Sequence, residues 1–128
     1  MKILLVDDKA SVRTAMVNIL LSLGFDDVTH AVDGEDAWEK LKQTMYGKTV
    51  QPFELVISDL EMPKMSGMEL LRAVRLEPET RHTPFIMATT VTEKEVIIET
   101  MRLGVQAYII KPFDRQTVEF KLKQAGVL

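Results

Sequence analysis

The chain contains no cysteine, and this absence excludes disulfide bonds, thiolate metal sites and thiol catalysis together. It also has no apolar run close to the ~18–20 residues that a membrane-spanning helix requires. No signal peptide is visible, because Met1 and Lys2 lead directly into the short apolar run 3–6. We therefore expect a cytoplasmic protein without a membrane-embedded segment.

An excess of positive charge is missing as well. The 16 Lys and Arg residues face 19 Asp and Glu residues, which leaves a net charge of −3 and argues against nucleic acid as a partner. No repeat, low-complexity tract or shift in composition divides the 128 residues. With 46% hydrophobic and 27% charged residues, the composition is typical of a globular protein, and we predict one domain spanning 1–128.

Five short apolar runs alternate with stretches whose apolar residues recur every three or four positions. Continuous apolar runs of this length indicate strands buried on both faces, and the intervening periodicity indicates amphipathic helices. Strands that alternate with helices form parallel sheets through crossover connections. The sequence therefore predicts an α/β fold, a doubly wound five-stranded parallel sheet with helices on both faces. The predicted strands are 3–6, 28–31, 55–58, 85–88 and 107–110.

Helix starts are indicated by side chains that can cap free backbone N–H groups. We expect N-caps at Ser11, Asp33 and Asp114, and a reciprocal capping box formed by Thr92 and Glu95. The last helix is expected to share one apolar face among Val118, Phe120 and Leu122.

Polar side chains follow four of the five predicted strands. They are Asp7 and Asp8, Asp59, Thr89 and Lys111. Because parallel strands end at one edge of the sheet, these groups are expected to lie together. Three neighbouring carboxylates repel one another unless a cation intervenes, and Mg²⁺ prefers oxygen ligands of this kind. With an ammonium and a hydroxyl added, the set suits the spread negative charge of a phosphoryl group.

Each of these residues has an ordinary explanation when taken alone, since two acids after a strand usually form a solvated turn. Their joint occurrence resembles the receiver domains of two-component response regulators, in particular the stand-alone regulators of chemotaxis. The resemblance covers nearly the whole chain and is carried by segment 5–8, segment 58–70, Thr89 and segment 108–113. It implies a flavodoxin-like fold with strand order 2-1-3-4-5.

The resemblance also implies a chemistry. Asp59 would accept a phosphoryl group from a histidine kinase or a histidine phosphotransfer protein. Mg²⁺ would be bound by Asp8, Asp59 and the backbone carbonyl of Glu61, with Asp7 acting through a water molecule. Lys111 would pair with the acceptor carboxylate and then with the phosphoryl group.

A conformational switch follows from the same resemblance. Thr89 would turn towards the phosphoryl oxygens, and Tyr108 would follow it inward. The surface that changes would lie on the last two helices and the last strand, where Ile97, Met101 and Val105 join Tyr108 as candidates for partner contact.

The implied function is a signalling switch that changes its affinity for a downstream protein, such as a flagellar motor switch protein. A phosphorelay to a histidine phosphotransfer protein is the alternative. The resemblance implies that the chain is not an enzyme, apart from taking part in its own phosphorylation and in slow hydrolysis of its acyl phosphate. It also implies a monomer, which could form a dimer on activation. Because the sequence ends directly after the last predicted helix, we expect output by docking. Two other classes stay open, a Mg²⁺-dependent phosphatase with Asp59 as nucleophile and a pseudo-receiver that is never phosphorylated.

Overall fold

A computed structural model describes residues 1–47 and 49–128. Strands and helices alternate through the described residues, as the apolar pattern predicts. The polar segment 42–52, whose composition indicates the end of a helix followed by a loop, includes Lys48, which lies outside the described residues. The elements are β1 (Lys2–Val6), α1 (Ala10–Ser22), β2 (Asp27–Ala31), α2 (Gly34–Lys42), β3 (Leu55–Ser58), α3 (Gly67–Leu76), β4 (Phe85–Thr89), α4 (Lys94–Arg102), β5 (Ala107–Ile110) and α5 (Arg115–Gln124).

All five strands are parallel and lie in the order β2-β1-β3-β4-β5, which confirms the predicted fold class and strand order. The register brings the ends of β1, β2 and β3 level, because Val6 pairs with Ala31 and with Ser58. The ends of β4 and β5 are also level, since Thr89 pairs with Ile110, and they extend two residues further because Ser58 pairs with Met87. The residues that follow these strands therefore share one edge of the sheet.

Two hydrophobic layers cover the two faces of the sheet. On β1, Ile3 and Leu5 pack in the layer that contains residues of α1 and α5, whereas Leu4 and Val6 pack in the layer that contains residues of α2 and α3. Alternate residues of one strand are buried on opposite faces, which is why the strands have continuous apolar sequences. In the part of the chain that the structure describes, no helix is long and apolar enough to cross a membrane.

Two predicted caps are confirmed and one is wrong. The Asp33 and Asp114 side chains accept the backbone N–H groups three residues ahead at the starts of α2 and α5. Ser11 lies inside α1, which begins at Ala10 with the extended residue Lys9 in the N-cap position and no side-chain cap. The backbone N–H of Lys9 already donates to the Asp7 carboxylate, which follows β1, and the chain enters the helix before it reaches Ser11.

The capping box predicted at Thr92 and Glu95 is also wrong. Helix α4 begins one residue later than expected, with Glu93 in the N-cap position and no side-chain cap. A shift of one residue breaks the spacing that a reciprocal box requires. A complete capping box does form at the start of α3, between Ser66 and Glu69.

The prediction that Phe120 shares the buried face of α5 is wrong, since its side chain is 63% exposed. Val118 and Leu122, four residues apart, are buried and lie on one face of the helix. A residue two positions from both points to roughly the opposite side, because an α-helix turns about 100° per residue.

Asp36 provides a pH-dependent contribution to stability near the start of α2. Its carboxylate accepts a hydrogen bond from the Lys40 ammonium at 2.6 Å and another from the Val32 backbone N–H at 3.0 Å. The hydrogen bond from Lys40, followed by that from Val32 and by the charges of Lys40 and Lys64, holds the pKa of Asp36 below its ordinary value.

We predict that Asp36→Asn lowers the free energy of unfolding by about 0.5–1 kcal/mol at neutral pH, a modest value because the side chain is partly exposed. A pKa that folding lowers adds stability above the unfolded value of 3.8, and this stability is lost as the pH falls through the folded pKa. Urea unfolding of the wild type and Asp36→Asn from neutral to acidic pH should show that the difference between their free energies of unfolding becomes smaller. Glu35→Gln is the control, because Glu35 is an exposed acid of the same first turn. Its free energy of unfolding at neutral pH should differ less from that of the wild type.

Candidate functional site

Asp59 directly follows the central strand β3 and is fixed by its backbone. Its N–H donates to the Val6 carbonyl at 2.9 Å, and its carbonyl accepts the Ser58 hydroxyl at 2.8 Å. Its buried carboxylate accepts the Leu60 backbone N–H through Oδ1 at 2.7 Å. Gly67 packs so closely against the Asp59 carbonyl that a Cβ atom there would overlap it. The position of this carboxylate is therefore set by the packing of β3 against the start of α3.

Lys111 joins Asp59 to a second buried carboxylate. Its Nζ lies 2.6 Å from Asp7 Oδ2 and 3.0 Å from Asp59 Oδ2, and its side chain is only 10% exposed. The backbone N–H of Lys111 donates to the Thr89 carbonyl at 2.9 Å, and the peptide bond to Pro112 is cis. Two buried carboxylates side by side need a compensating positive charge, and this ammonium supplies it.

Asp8 completes a trio of carboxylates. Asp7, Asp8 and Asp59 each place one oxygen within 4.8 Å of the others, and the Asp8 side chain is 33% exposed. Three hard oxygen donors with one side open to water fit a divalent cation such as Mg²⁺, which keeps several waters and takes few carboxylates. Glu61 lies two residues after Asp59 with its side chain exposed, and the role of its backbone carbonyl stays a prediction.

Two cationic residues at this edge are absent from the sequence-based assignment. Lys9 Nζ lies 3.2 Å from Asp8 Oδ1 and 4.0 Å from Asp59 Oδ2. The hydrogen bond to Asp8, followed by the surrounding carboxylate charges, raises the pKa of Lys9. Arg13 donates to the backbone carbonyl of Asp7 at 2.6 Å. The sequence does place Lys9 directly after two acids, which is a signal for a charge at the site. It does not show whether the Lys9 side chain turns towards these acids or towards solvent.

Thr89 is buried at the end of β4 and is linked to Tyr108 through a single residue. Its Oγ1 accepts the Val91 backbone N–H at 3.3 Å, and the Val91 carbonyl accepts the Tyr108 hydroxyl at 2.7 Å. Burial, reinforced by the charge of Glu93, raises the pKa of Tyr108 to about 12, so the phenol keeps its proton and remains a donor. The loop after β4 therefore contacts the strand-end site on one side and β5 on the other.

The predicted partner surface is divided between exposed and buried side chains. Met101 is 54% exposed, and Ile97 is partly buried against the core. Val105 and Tyr108 are buried, at 7% and 6% exposure. Large apolar side chains that are exposed on α4, β5 and α5 also include Ile98, Ile110 and Phe120. Partner contact by the four predicted residues stays a prediction.

An open groove of about 410 Å³ borders the site between α1 and the loop that follows β5. Lys111 lies in its wall beside the apolar side chains of Val12, Ala15 and Phe113. Of the strand-end charged residues, Lys111 lines this groove, and the three carboxylates do not.

Comparison with known proteins assigns the whole arrangement to one family. The family model described as response regulator receiver domain matches residues 3–123. The chain is 39% identical over 122 residues to chemotaxis protein CheY-3 of Vibrio cholerae, covering 95% of this chain and 88% of that protein. It is 38% identical over 123 residues to chemotaxis protein CheY1 of Helicobacter pylori, covering 96% and 94%.

Solved structures agree with the sequence relatives. Chemotaxis protein CheY4 of Vibrio cholerae superposes with a TM-score of 0.83 at 33% identity, over 97% of each chain. A response regulator receiver protein from Pseudomonas putida superposes with a TM-score of 0.81 at 30% identity, over 95% of this chain and 94% of the other. The protein belongs to the response regulator receiver domain family.

Proposed function

We propose that this protein is a phosphorylation-controlled signalling switch in which Asp59 accepts a phosphoryl group in the presence of Mg²⁺. The observation that carries the proposal is the bridge of Lys111 between the buried Asp7 and Asp59 carboxylates, with Asp8 completing the oxygen trio. This set combines a fixed nucleophile, an ammonium and hard oxygen ligands at the open edge of the sheet. The names of the relatives support a role in chemotaxis.

The acceptor chemistry follows from the position of Asp59. A carboxylate oxygen attacks the phosphorus of a phosphohistidine, a new O–P bond forms, and the P–N bond breaks with its electron pair returning to the imidazole. The Leu60 N–H and the Lys111 ammonium orient the carboxylate at 2.7 Å and 3.0 Å, which lowers the entropic part of the barrier. After transfer, Lys111 is placed to pair with the phosphoryl oxygens.

Asp8 and Asp59, with Asp7 beside them, would hold the metal ion. When bound, Mg²⁺ supplies positive charge that neutralises the oxygens of the transferring group. Asp7 and Asp59 directly follow the paired residues Val6 and Ser58 of β1 and β3, so pairing in the sheet sets the distance between these two ligands.

The readout would start at Thr89. Phosphorylation of Asp59 would add roughly one to two negative charges and new acceptor oxygens at the edge of the sheet where Thr89 also lies. If Thr89 turns to donate to them, the hydrogen bond from the Val91 N–H is disturbed, and the Val91 carbonyl holds Tyr108. A local change at the site would thereby reach β5, whose Ile110 side chain is exposed and could offer apolar contact area.

Output would then come from docking rather than from catalysis. We propose a histidine kinase as donor and a downstream chemotaxis protein, such as a flagellar motor switch protein, as target. The chain itself would act on no separate substrate and would perform only its own phosphorylation and slow hydrolysis of the acyl phosphate.

The test is incubation with acetyl phosphate and Mg²⁺, followed by intact-protein mass spectrometry. We expect a gain of one phosphoryl group per chain that is stable in acid and labile in base, as an acyl phosphate should be. Chelation of Mg²⁺ should abolish the adduct. Asp59→Asn should also abolish it, because an amide cannot form the acyl phosphate, whereas Asp26→Asn, at an exposed position outside the site, should leave it intact.

Three outcomes would overturn the proposal. An adduct that persists in Asp59→Asn would place the acceptor elsewhere. Sustained turnover of diverse phosphoesters would favour a phosphatase. The complete absence of an adduct under all donors, with the protein folded, would favour a pseudo-receiver.

A further inference from the structure

The exposed Lys9 side chain lies beside the carboxylates of Asp7, Asp8 and Asp59, on their solvent-facing side. Its Nζ lies 3.2 Å from Asp8 Oδ1 and 4.0 Å from Asp59 Oδ2. These are two of the oxygen-bearing groups that would hold a divalent cation. A cation taken up by Asp8 would therefore meet this ammonium directly.

The two lysines at the site differ in how firmly they are held. Lys111 is 10% exposed and bonds two buried carboxylates, so it is fixed. Lys9 is 58% exposed and pairs with Asp8, which is itself 33% exposed. An exposed pair of this kind is weak and screened by water, and a lysine side chain has a long flexible stem. Lys9 can therefore leave Asp8 while its backbone remains bonded to Asp7 Oδ1 at 2.9 Å.

We propose that Lys9 is a tethered competitor of the divalent cation at Asp8, and that it sets how readily the site takes up Mg²⁺. This inference rests on the metal site proposed above and deepens it. Lys9 and Mg²⁺ both bind the Asp8 carboxylate, and the Lys9 ammonium also repels the positive charge of the incoming ion. Binding of Mg²⁺ then requires Lys9 to swing towards solvent.

Calorimetric titration of the full chain with Mg²⁺ tests the proposal. We expect Lys9→Met to bind Mg²⁺ about three- to tenfold more tightly than the wild type, because a positive charge within a few ångströms is removed from a water-exposed site. Lys9→Arg, which keeps the charge, should stay within about twofold of the wild type.

Ionic strength separates competition from a merely structural effect. The Debye length falls from about 10 Å at 0.1 M salt to about 3 Å at 1 M. The ratio of the Lys9→Met affinity to the wild-type affinity should therefore shrink as salt is raised. A change in packing would leave this ratio unaffected.

Lys42→Met is the matched control. Lys42 pairs with Glu39 at 2.7 Å on the exposed side of α2, so its replacement removes one charge and one surface ion pair without touching the site. Its Mg²⁺ affinity should equal that of the wild type. Asp8→Asn identifies the site and should weaken Mg²⁺ binding in both the wild-type and the Lys9→Met background.

The outcomes separate this inference from the function on which it rests. If the wild type binds Mg²⁺ through Asp8 but Lys9→Met binds equally or more weakly, the competitor role is wrong and the proposed function stands. If neither protein binds Mg²⁺, or Asp8→Asn changes nothing, the metal assignment fails and the role of Lys9 fails with it.

Discussion

Lys111→Met is expected to lower the free energy of unfolding by about 3 kcal/mol in the absence of Mg²⁺. The Lys111 ammonium is the short-range partner of both Asp7 and Asp59, whose side chains are 4% and 5% exposed. Methionine fills the volume of the stem but leaves two buried negative charges facing each other. Urea unfolding monitored by circular dichroism measures the loss.

Added Mg²⁺ should reduce this deficit to about 1 kcal/mol, because a cation bound by the same carboxylates restores compensation and stabilises the folded state. The variant should also be phosphorylated by acetyl phosphate about 10²–10³-fold more slowly, since one preorganised donor to the developing charge is lost. Lys123→Met, which removes an exposed pair with Glu119, should change stability by less than about 0.5 kcal/mol. A Lys111→Met protein as stable as the wild type without Mg²⁺ would show that the bridge contributes nothing to the fold.

Gly67→Ala is expected to cost about 3 kcal/mol of stability by a different mechanism. Gly67 has no unusual backbone angle, but a Cβ atom would overlap the Asp59 carbonyl oxygen and lie 2.9 Å from Leu60 Cα. Both neighbours are backbone atoms that cannot rotate away. The start of α3 or the end of β3 must therefore shift.

Because that shift moves Asp59 itself, phosphorylation of Gly67→Ala should slow by about 10²-fold even where the protein is fully folded. Gly24→Ala is the control. Its φ of +94° strains alanine, but no atom lies within 4 Å of the new Cβ, so it should cost about 1 kcal/mol and leave phosphorylation unchanged. Equal losses of stability and rate in the two variants would remove the steric explanation.

The strands and the strand-end residues could be predicted because burial on both faces leaves a strong sequence signal. Segment 55–58 is uniformly apolar up to Ser58, and the polar residue that follows marks the edge of the sheet. Helix starts could not be placed as well. A cap depends on how the preceding loop leaves the sheet, and a displacement of one residue moved the N-cap from Thr92 to Glu93.

Side-chain direction accounts for the remaining differences. Phe120 was expected in the core from its spacing of two, which suits a strand and not a helix. Lys9 is visible in the sequence as a charge after two acids, but whether it turns to solvent or over Asp8 depends on the geometry of the loop after β1. Composition and periodicity carry no information on that choice.

The hydrogen bonds around Asp59 and Val91 differ in a way that bears on local unfolding. The Asp59 amide donates to the Val6 carbonyl at 2.9 Å directly after the central strand, where opening is expected to need more free energy than in a loop. The Val91 amide bonds a single hydroxyl at 3.3 Å from a loop, where opening is local and needs little free energy. We therefore expect the Asp59 amide to exchange with solvent more slowly than the Val91 amide. On the proposed function, a phosphoryl group on Asp59 would rearrange the loop that contains Val91 without loosening the sheet that holds Asp59.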